Sequence, residues 1–190
     1  MIDIQTMLDQ MVGPLEKDGF KVSRNLTLSD GKIAAIAASR TQFSFKGLVI
    51  LSQHILVQQV DNATISDAEA LFDAGFRFAK KANRVPLFRG LQFGFMVIPV
   101  LVGSSPDASL VEAVSQCPKK RWALFEYPVV VDLSLNEATY FTGKALWGAF
   151  FFSDLRSMAE KYIQGILDMR SMAEKYIQGV LSDKIEARDS

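Results

Sequence analysis

The sequence has almost none of the residues that hold structural metal ions or disulfide bonds. It contains one cysteine, Cys117, and one histidine, His54, among 190 residues. A lone cysteine excludes an intramolecular disulfide, which fits a reducing compartment. A structural zinc site takes four cysteine or histidine ligands, so that class of site is excluded as well. We therefore expect a chain that folds without a metal ion or a cofactor.

The chain also lacks an excess charge of one sign and a long hydrophobic run. Its 21 lysine and arginine residues balance its 21 aspartate and glutamate residues. Proteins that bind nucleic acids or membrane surfaces through charge usually carry a basic excess. The longest apolar stretch, residues 91–102, is shorter than the roughly 20 residues that cross a bilayer. Since the first residues also lack a signal-peptide pattern, we expect a soluble, cytoplasmic protein without membrane contact.

Two common nucleotide-binding motifs are missing. No G-x-G-x-x-G sequence occurs, so a dinucleotide site of the Rossmann type has no support. The triplet Thr142-Gly143-Lys144 matches the end of a phosphate-binding loop. However, Ala138 and Ala145 stand where that loop needs its first glycine and its magnesium-binding hydroxyl.

The first third of the chain is predicted to form a helix followed by three strands. The helix begins after Asp3, and we expect a kink or a restart at Gly13-Pro14 because proline has no amide hydrogen. The strands form an antiparallel meander and cover residues 20–28, 32–41 and 48–60. An Asp-Gly pair between the first two strands is a strong hairpin signal, because glycine accepts the positive φ of a tight turn.

The rest of the domain alternates helices and strands. Ser66 and Glu69 form a capping box that predicts the start of the next helix. A buried strand follows over residues 91–102, with Pro99 as its anomaly, and a short helix comes after it. Two further strands are predicted at residues 122–133 and 137–142, whereas residues 146–152 fit a strand or a helix equally.

These elements predict one α+β domain over residues 1–155. Its single mixed, largely antiparallel sheet is expected to be flanked by helices, because strands outnumber the helices between them. Residues 156–190 are predicted to form a helical tail.

The tail contains the one unusual feature of the sequence, a tandem repeat of fourteen residues. Residues 156–169, the first repeat, read RSMAEKYIQGILDM, and residues 170–183, the second repeat, read RSMAEKYIQGVLSD. Eleven of the fourteen positions are identical, and the copies abut without a gap. Chance does not produce such a match, so we interpret it as the duplication of a short coding segment.

The repeat places its apolar side chains on nearly the same helical face twice, because fourteen residues are two heptads. The first repeat is predicted to pack as the last helix of the domain, which leaves the second with an apolar stripe and nothing to cover. Pairing with a second chain to form a homodimer, as in a coiled coil, is one outcome. A tail that folds back at Gly165 onto its own domain is the other. The candidate self-association residues are Met158, Tyr162, Met169, Met172, Tyr176 and Val180.

A catalytic site would have to use His54 or scattered carboxylates. His54 lies midway along a predicted strand, which is typical of a structural histidine, and a Cys117–His54 dyad has no motif behind it. Glu126 and Asp132 are an even number of residues apart on one predicted strand, so both would face one side as a carboxylate pair. The alternative is that they are the solvent-facing ends of that strand.

Two basic stretches are the candidate nucleic-acid surface. Phosphate contacts need such side chains, and a neighbouring tryptophan could stack on a base. The candidates are Lys80, Lys81, Arg84, Arg89, Lys119, Lys120, Arg121 and Trp122. The order of strands and helices is loosely similar to that of nuclease cores, but the one acid-x-Lys triplet, residues 30–32, coincides with the predicted hairpin turn.

Three functional classes remain. The first is a non-catalytic protein that acts through protein contacts and forms a homodimer through its tail. The second is a nucleic-acid-binding or degenerate nuclease-like domain. The third is a small-molecule-binding domain or an enzyme with an aromatic pocket, in view of the fourteen phenylalanines. We favour the first, because of the repeated amphipathic tail and the lack of a recognisable active site.

Overall fold

The chain folds into three layers, with a seven-stranded mixed sheet between two layers of helices. The computed structural model describes residues 3–45, 48–82, 93–118, 124–144 and 149–186, without the side chains of residue 174 and residues 177–186. The predicted α+β class with one mixed sheet is confirmed.

The strands follow the chain order that the sequence predicts. They are β1 Lys21–Thr27, β2 Ile33–Ser44, β3 Val49–Gln59, β4 Phe93–Gly103, β5 Leu124–Glu126, β6 Val129–Asp132 and β7 Glu137–Thr139. Across the sheet the order is β1-β2-β3-β4-β6-β7, and β5 pairs with β4 ahead of β6. The antiparallel meander β1-β2-β3 is confirmed.

The centre of the sheet is parallel, so the expectation of a largely antiparallel sheet is wrong there. β4 pairs in parallel with β3, β5 and β6. One helix lies between β3 and β4 and another between β4 and β5, and such crossovers bring neighbouring strands in with the same direction. β6 follows β5 after two residues and keeps its direction. β4 is buried along its whole length, as its nearly unbroken apolar sequence requires of a strand covered on both faces.

The helices divide between the two faces of the sheet. They are α1 Ile4–Lys17, α2 Ile65–Ala82, α3 Ala108–Ser115, α4 Ala149–Ala159 and α5 Gly165–Glu186, with a π-helical turn, Glu160–Gln164, between the last two. One buried apolar cluster joins the sheet to α2 and α3, and the other joins it to α1 and the C-terminal helices. No helix among the described residues is long and apolar enough to cross a membrane.

The strand predicted over residues 122–133 is two strands in the structure. β5 ends at Glu126 and β6 begins at Val129, and Tyr127 and Pro128 between them lie opposite Ile98 and Pro99 in the register of β4. Proline gives no amide hydrogen to a strand ladder. The ladder is therefore interrupted where both strands have a proline.

α1 is one continuous helix through Gly13-Pro14, so the helix does not restart there. The carboxylate of Asp3 caps the helix by accepting a bond from the amide of Gln5, as predicted. Met11 and Leu15 are buried on either side of the proline. Their packing holds the helix together across the one missing backbone bond.

α2 is capped two residues earlier than the sequence pattern indicates. Thr64 and Asp67 form the capping box: the Thr64 amide donates to Asp67 Oδ2 at 3.1 Å, and the Asp67 amide donates to Thr64 Oγ1 at 3.4 Å. The predicted pair, Ser66 and Glu69, lies inside the helix. A Thr-x-x-Asp pair satisfies the same free amides, and Ile65 then starts the helix.

Candidate functional site

The two copies of the repeat lie in different surroundings although their sequences are nearly identical. In the first repeat only 6% of Met158 and 1% of Tyr162 is exposed. The equivalent residues of the second repeat, Met172 and Tyr176, are exposed to 71% and 75%. Met169, the last residue of the first repeat, is exposed to 62%. The described part of the second repeat therefore carries an uncovered apolar stripe.

A carboxylate at the end of α1 anchors the first repeat. Lys161 Nζ donates to Asp18 Oδ2 at 2.5 Å, and the Tyr162 hydroxyl donates to the same oxygen. The bond from Lys161, followed by that from Tyr162, lowers the pKa of the Asp18 carboxyl. Burial and the bond to Asp18 raise the pKa of Tyr162. Near neutral pH the carboxylate is therefore charged and the phenol keeps its proton, which is the pairing that the contact needs.

An aromatic ring and a guanidinium complete the surface that receives the first repeat. The rings of Phe20 and Tyr162 meet edge to face, with their centroids 5.7 Å apart. The Arg40 guanidinium lies 4.3 Å from the Phe20 centroid, and its Nε donates to Gln53 Oε1 at 2.6 Å. Asp18, Phe20, Arg40 and Gln53 together define the receptor groove. A cleft of about 400 Å³ lies along it.

Three elements position the receptor groove. α1 stops at Asp18, and Gly19 adopts a φ of +83°, which turns the chain so that Phe20 packs under the C-terminal helices. Arg40 and Gln53 are direct partners in the register of β2 and β3. The Arg40 guanidinium also donates through Nη1 to the Asp18 carbonyl at 2.8 Å, which ties the sheet to the end of α1.

Polar contacts also hold the first repeat near both of its ends. At its start, Arg156 Nη2 donates to the carbonyl of Gly143 and, at 3.5 Å, to that of Phe141. Towards its end, Asn136 Nδ2 donates to the carbonyl of Leu167 at 3.4 Å. The first repeat is thus fixed along its length by contacts with the domain.

The docked helix changes its form where it meets Asp18. Residues 160–164, with the sequence EKYIQ, form the π-helical turn that contains Lys161 and Tyr162. The same five letters at residues 174–178 are α-helical. Because the sequences are identical, the surroundings impose the π turn. Such turns frequently mark functional positions in helices.

The structure divides the residues predicted for self-association. Met158 and Tyr162 belong to the core of the domain, whereas Met169, Met172 and Tyr176 are exposed. Val180 lies where no side chains are described.

The predicted basic surface is described only in part. Lys80 and Lys81 are exposed at the end of α2. Lys80 Nζ lies 5.6 Å from the centroid of Phe76, and Lys81 borders a cleft together with Arg77. The other candidates lie outside the described residues: Arg84, Arg89, Lys119, Lys120, Arg121 and Trp122.

The two carboxylates predicted to pair stand on different strands. Glu126 of β5 lies opposite Val97, and Asp132 of β6 lies opposite Gly103. Six residues of β4 separate these positions, which is about 20 Å along a strand. Asp132 Oδ1 accepts a bond from the amide of Ser134 at 2.8 Å and so closes the turn after β6. Within the described residues no group of three or more possible metal ligands converges.

The acid-x-Lys triplet is used by the hairpin. Asp30 Oδ1 accepts a bond from the Lys32 amide at 3.1 Å, and Gly31 between them has a φ of +84°. Lys32 Nζ pairs with Asp67 at 3.1 Å, which joins the hairpin to α2. Both side chains are therefore occupied by contacts within the fold.

His54 is buried on the face of the sheet that α2 covers. Its Nε2 shares a hydrogen bond of 2.8 Å with Ser52 Oγ, and its ring meets that of Phe78 edge to face. Burial lowers the pKa of His54 to about 4, so the ring is neutral near pH 7. Cys117 is an exposed thiol beyond α3. In the part of the chain that the structure describes, the two side chains make no contact, and His54 has the structural role expected of it.

A cleft between α2 and α3 is the candidate for the hypothesised small-molecule site. It measures about 550 Å³, and Phe72 and Val114 contribute to its apolar wall. Glu69, Asp73 and Glu126 also line it, so this cleft is acidic and does not match the anionic backbone of a nucleic acid.

Sequence reasoning missed the receptor groove. No motif singles out Asp18, and Phe20, Arg40 and Gln53 fall only within predicted strands. One signal points to the groove: Gln53 is buried in β3 and Arg40, its partner in β2, is half-buried, and a buried polar residue indicates a specific partner.

The chain was compared with protein-family models, with curated proteins and with solved structures. None of the three comparisons finds a match. The geometry of the repeats and of the groove is therefore the basis on which a function is assigned.

Proposed function

We propose that this chain is a protein–protein interaction domain that associates with a second copy of itself through the second repeat. The observation that supports this is the contrast between two nearly identical segments, one buried and one exposed. Met172 and Tyr176 are the side chains that the domain buries at the equivalent positions of the first repeat. Removing apolar surface from water stabilises by about 25 cal/mol per Å², so covering this stripe favours association.

A second copy is the partner that the molecule itself supports. The chain already contains a surface that fits the repeat, because its own first repeat is packed on the domain. Its formal net charge is zero, so two copies meet without a net electrostatic repulsion. One chain therefore contains both the segment and the surface that self-association requires.

The mass in solution tests the proposal. Light scattering over a range of concentrations would compare the full chain with a variant that lacks residues 170–183. We expect the full chain to approach the mass of a dimer as its concentration rises, and the shortened chain to remain a monomer. Equal masses for the two proteins would refute the proposed function.

A matched pair of variants separates the stripe from exposed apolar surface in general. The double variant Met172→Glu/Tyr176→Glu places charges on the stripe, and we expect it to remain a monomer. Phe45, at the turn after β2, is exposed to 83% and provides the control. Phe45→Glu is expected to associate as the unmodified chain does. A dimer that survives the double variant would contradict the role of the second repeat.

The nucleic-acid hypothesis has less support. Of its candidate residues the structure describes Lys80 and Lys81, and the chain that carries them has no net positive charge. A gel shift with a generic oligonucleotide at low salt tests it. A shift that weakens with salt and with Lys80→Ala/Lys81→Ala would favour that function instead.

A further inference from the structure

The receptor groove and the second repeat are complementary parts of one molecule. The polar anchor of the first repeat consists of Lys161 and Tyr162 bound to Asp18. Lys175 and Tyr176 are their counterparts in the second repeat, and both are exposed. The groups that the groove binds are therefore present a second time, fourteen residues further along.

The apolar residues that the domain buries are repeated as well. Met158, Tyr162, Ile163 and Leu167 are buried, and identical residues occupy the matching positions 172, 176, 177 and 181. The buried position that differs is Ile166, where the second repeat has Val180, one methylene smaller. The other differences fall at Asp168 and Met169, which are exposed. The two repeats therefore present nearly the same side chains to the groove, which is expected to bind either of them.

We propose that the second repeat of one chain docks in the receptor groove of another chain and displaces the first repeat of that chain. Two chains then exchange their terminal helices reciprocally, which closes a symmetric dimer. This inference rests on the proposed self-association and identifies the surface that receives the second repeat.

The length of the repeat favours exchange between chains over a shift within one chain. To reach its own groove, the second repeat would have to begin where the first now begins, directly after Leu155. Residues 156–169 would then form a closed loop, whereas a fourteen-residue helix is about 21 Å long and its ends do not meet. In the exchanged dimer the same residues remain helical and bridge the two domains, while residues 149–155, the part of α4 before the repeat, keep their place.

The closed chain and the exchanged dimer contain nearly the same docked contacts. The closed chain has the first repeat in its groove and exposes the second, and the exchanged chain does the opposite. In the dimer the two bridging helices run between the same two domains, so each can cover the apolar stripe of the other. Because the docked contacts nearly cancel, protein concentration decides between the two states.

Zero-length cross-linking of the full chain tests this exchange. Light and ¹⁵N-labelled chains are unfolded together in urea, refolded as a mixture and treated with a carbodiimide, which couples a carboxylate to an adjacent amine. Lys161 and Lys175 lie in different tryptic peptides, which end in YIQGILDMR and YIQGVLSDK. We expect Asp18–Lys175 peptides that combine one light and one heavy partner, and their yield should rise with protein concentration. Asp18–Lys161 peptides should combine partners of one label only.

Two conservative variants assign the cross-links. Lys175→Arg keeps the charge but removes the reactive amine, so the mixed light–heavy peptides should disappear. Lys161→Arg should remove the Asp18–Lys161 peptides and retain the mixed Asp18–Lys175 peptides.

Three outcomes would overturn the proposed exchange, and they differ in whether the proposed function still holds. Dimers by light scattering without any Asp18–Lys175 peptide would mean that the chains pair through their exposed stripes, so the proposed function would hold and the exchange would not. Asp18–Lys175 peptides of one label only would mean a shift within the chain. Monomers at every concentration would overturn the proposed function itself.

Discussion

At the scale of single residues, burial sets the protonation of His54 and couples it to stability. The folded ring has a pKa of about 4, against an ordinary value of 6.5. Between these values the unfolded chain binds a proton that the folded chain does not, so stability falls as the pH decreases from about 6.5 towards 4. We expect the free energy of unfolding to drop by about 2 kcal/mol from pH 7 to pH 5 through this group. Urea denaturation at the two pH values measures this drop.

The control for this prediction is His54→Gln, which does not titrate. The aspartates with shifted pKa values have ordinary values of 3.8 and lowered folded ones, so they act mainly below this window. The variant should therefore lose most of the pH dependence between pH 7 and 5. A variant with the dependence of the unmodified chain would show that His54 does not cause it.

Backbone proximity makes Gly103 irreplaceable at the end of β4. A Cβ atom at this position would lie 2.2 Å from the carbonyl oxygen of Val60. Backbone atoms do not yield as flexible side chains do, so we expect Gly103→Ala to lower the free energy of unfolding by about 3 kcal/mol. Gly13 of α1 is the matched control, because a Cβ atom at that position would have no other part of the described fold within 4 Å. Gly13→Ala should raise the free energy of unfolding by about 0.5–1 kcal/mol, and equal effects of the two changes in urea denaturation would refute the argument.

At the scale of an element, the start of α2 distinguishes a sequence motif from the cap that forms. Thr64 is the capping residue in the structure, while the sequence motif points to Ser66. We expect Thr64→Ala to lower the free energy of unfolding by about 1 kcal/mol. Ser66→Ala should change it by less than about 0.5 kcal/mol, as is usual for surface positions. Thermal or urea unfolding of both variants measures the two losses of stability. A larger loss for Ser66→Ala than for Thr64→Ala would mean that Ser66 caps the helix, as the sequence motif indicates.

At the scale of the whole molecule, the repeats should be interchangeable as the terminal helix. A chain without residues 156–169 joins the second repeat directly to Leu155, and a chain without residues 170–183 retains the first repeat. The two products differ at three positions only. Because the one buried difference is isoleucine against valine, we expect their free energies of unfolding to agree within about 1 kcal/mol.

Urea denaturation and light scattering check this prediction together. Both shortened chains should unfold cooperatively and remain monomers, since each has one groove and one repeat. If only the chain with the first repeat folds, the groove does not accept the second repeat, and the proposed exchange loses its basis.

Local signals in the sequence determined most of the elements. The Asp-Gly turn, the apolar patterns of β1 to β4 and the cap at Asp3 depend on neighbours within a few residues, and all of them are present in the structure. The division of one predicted strand at residues 127–128 had a local signal in Pro128, but the position of Pro99 opposite it was not readable locally, because Pro99 lies on another strand. The receptor groove was out of reach for the same reason, since Asp18, Arg40 and Gln53 come from three separate elements.

The repeat separates the properties that the sequence determines from those that only the tertiary structure determines. The sequence by itself determined that the C-terminal segment occurs twice and that both copies are helical, because these properties belong to the fourteen residues. It did not determine that EKYIQ is a buried π turn at residues 160–164 and an α-helix at residues 174–178. Identical residues have identical local preferences, so only the presence or absence of Asp18 and its neighbouring groove accounts for the difference.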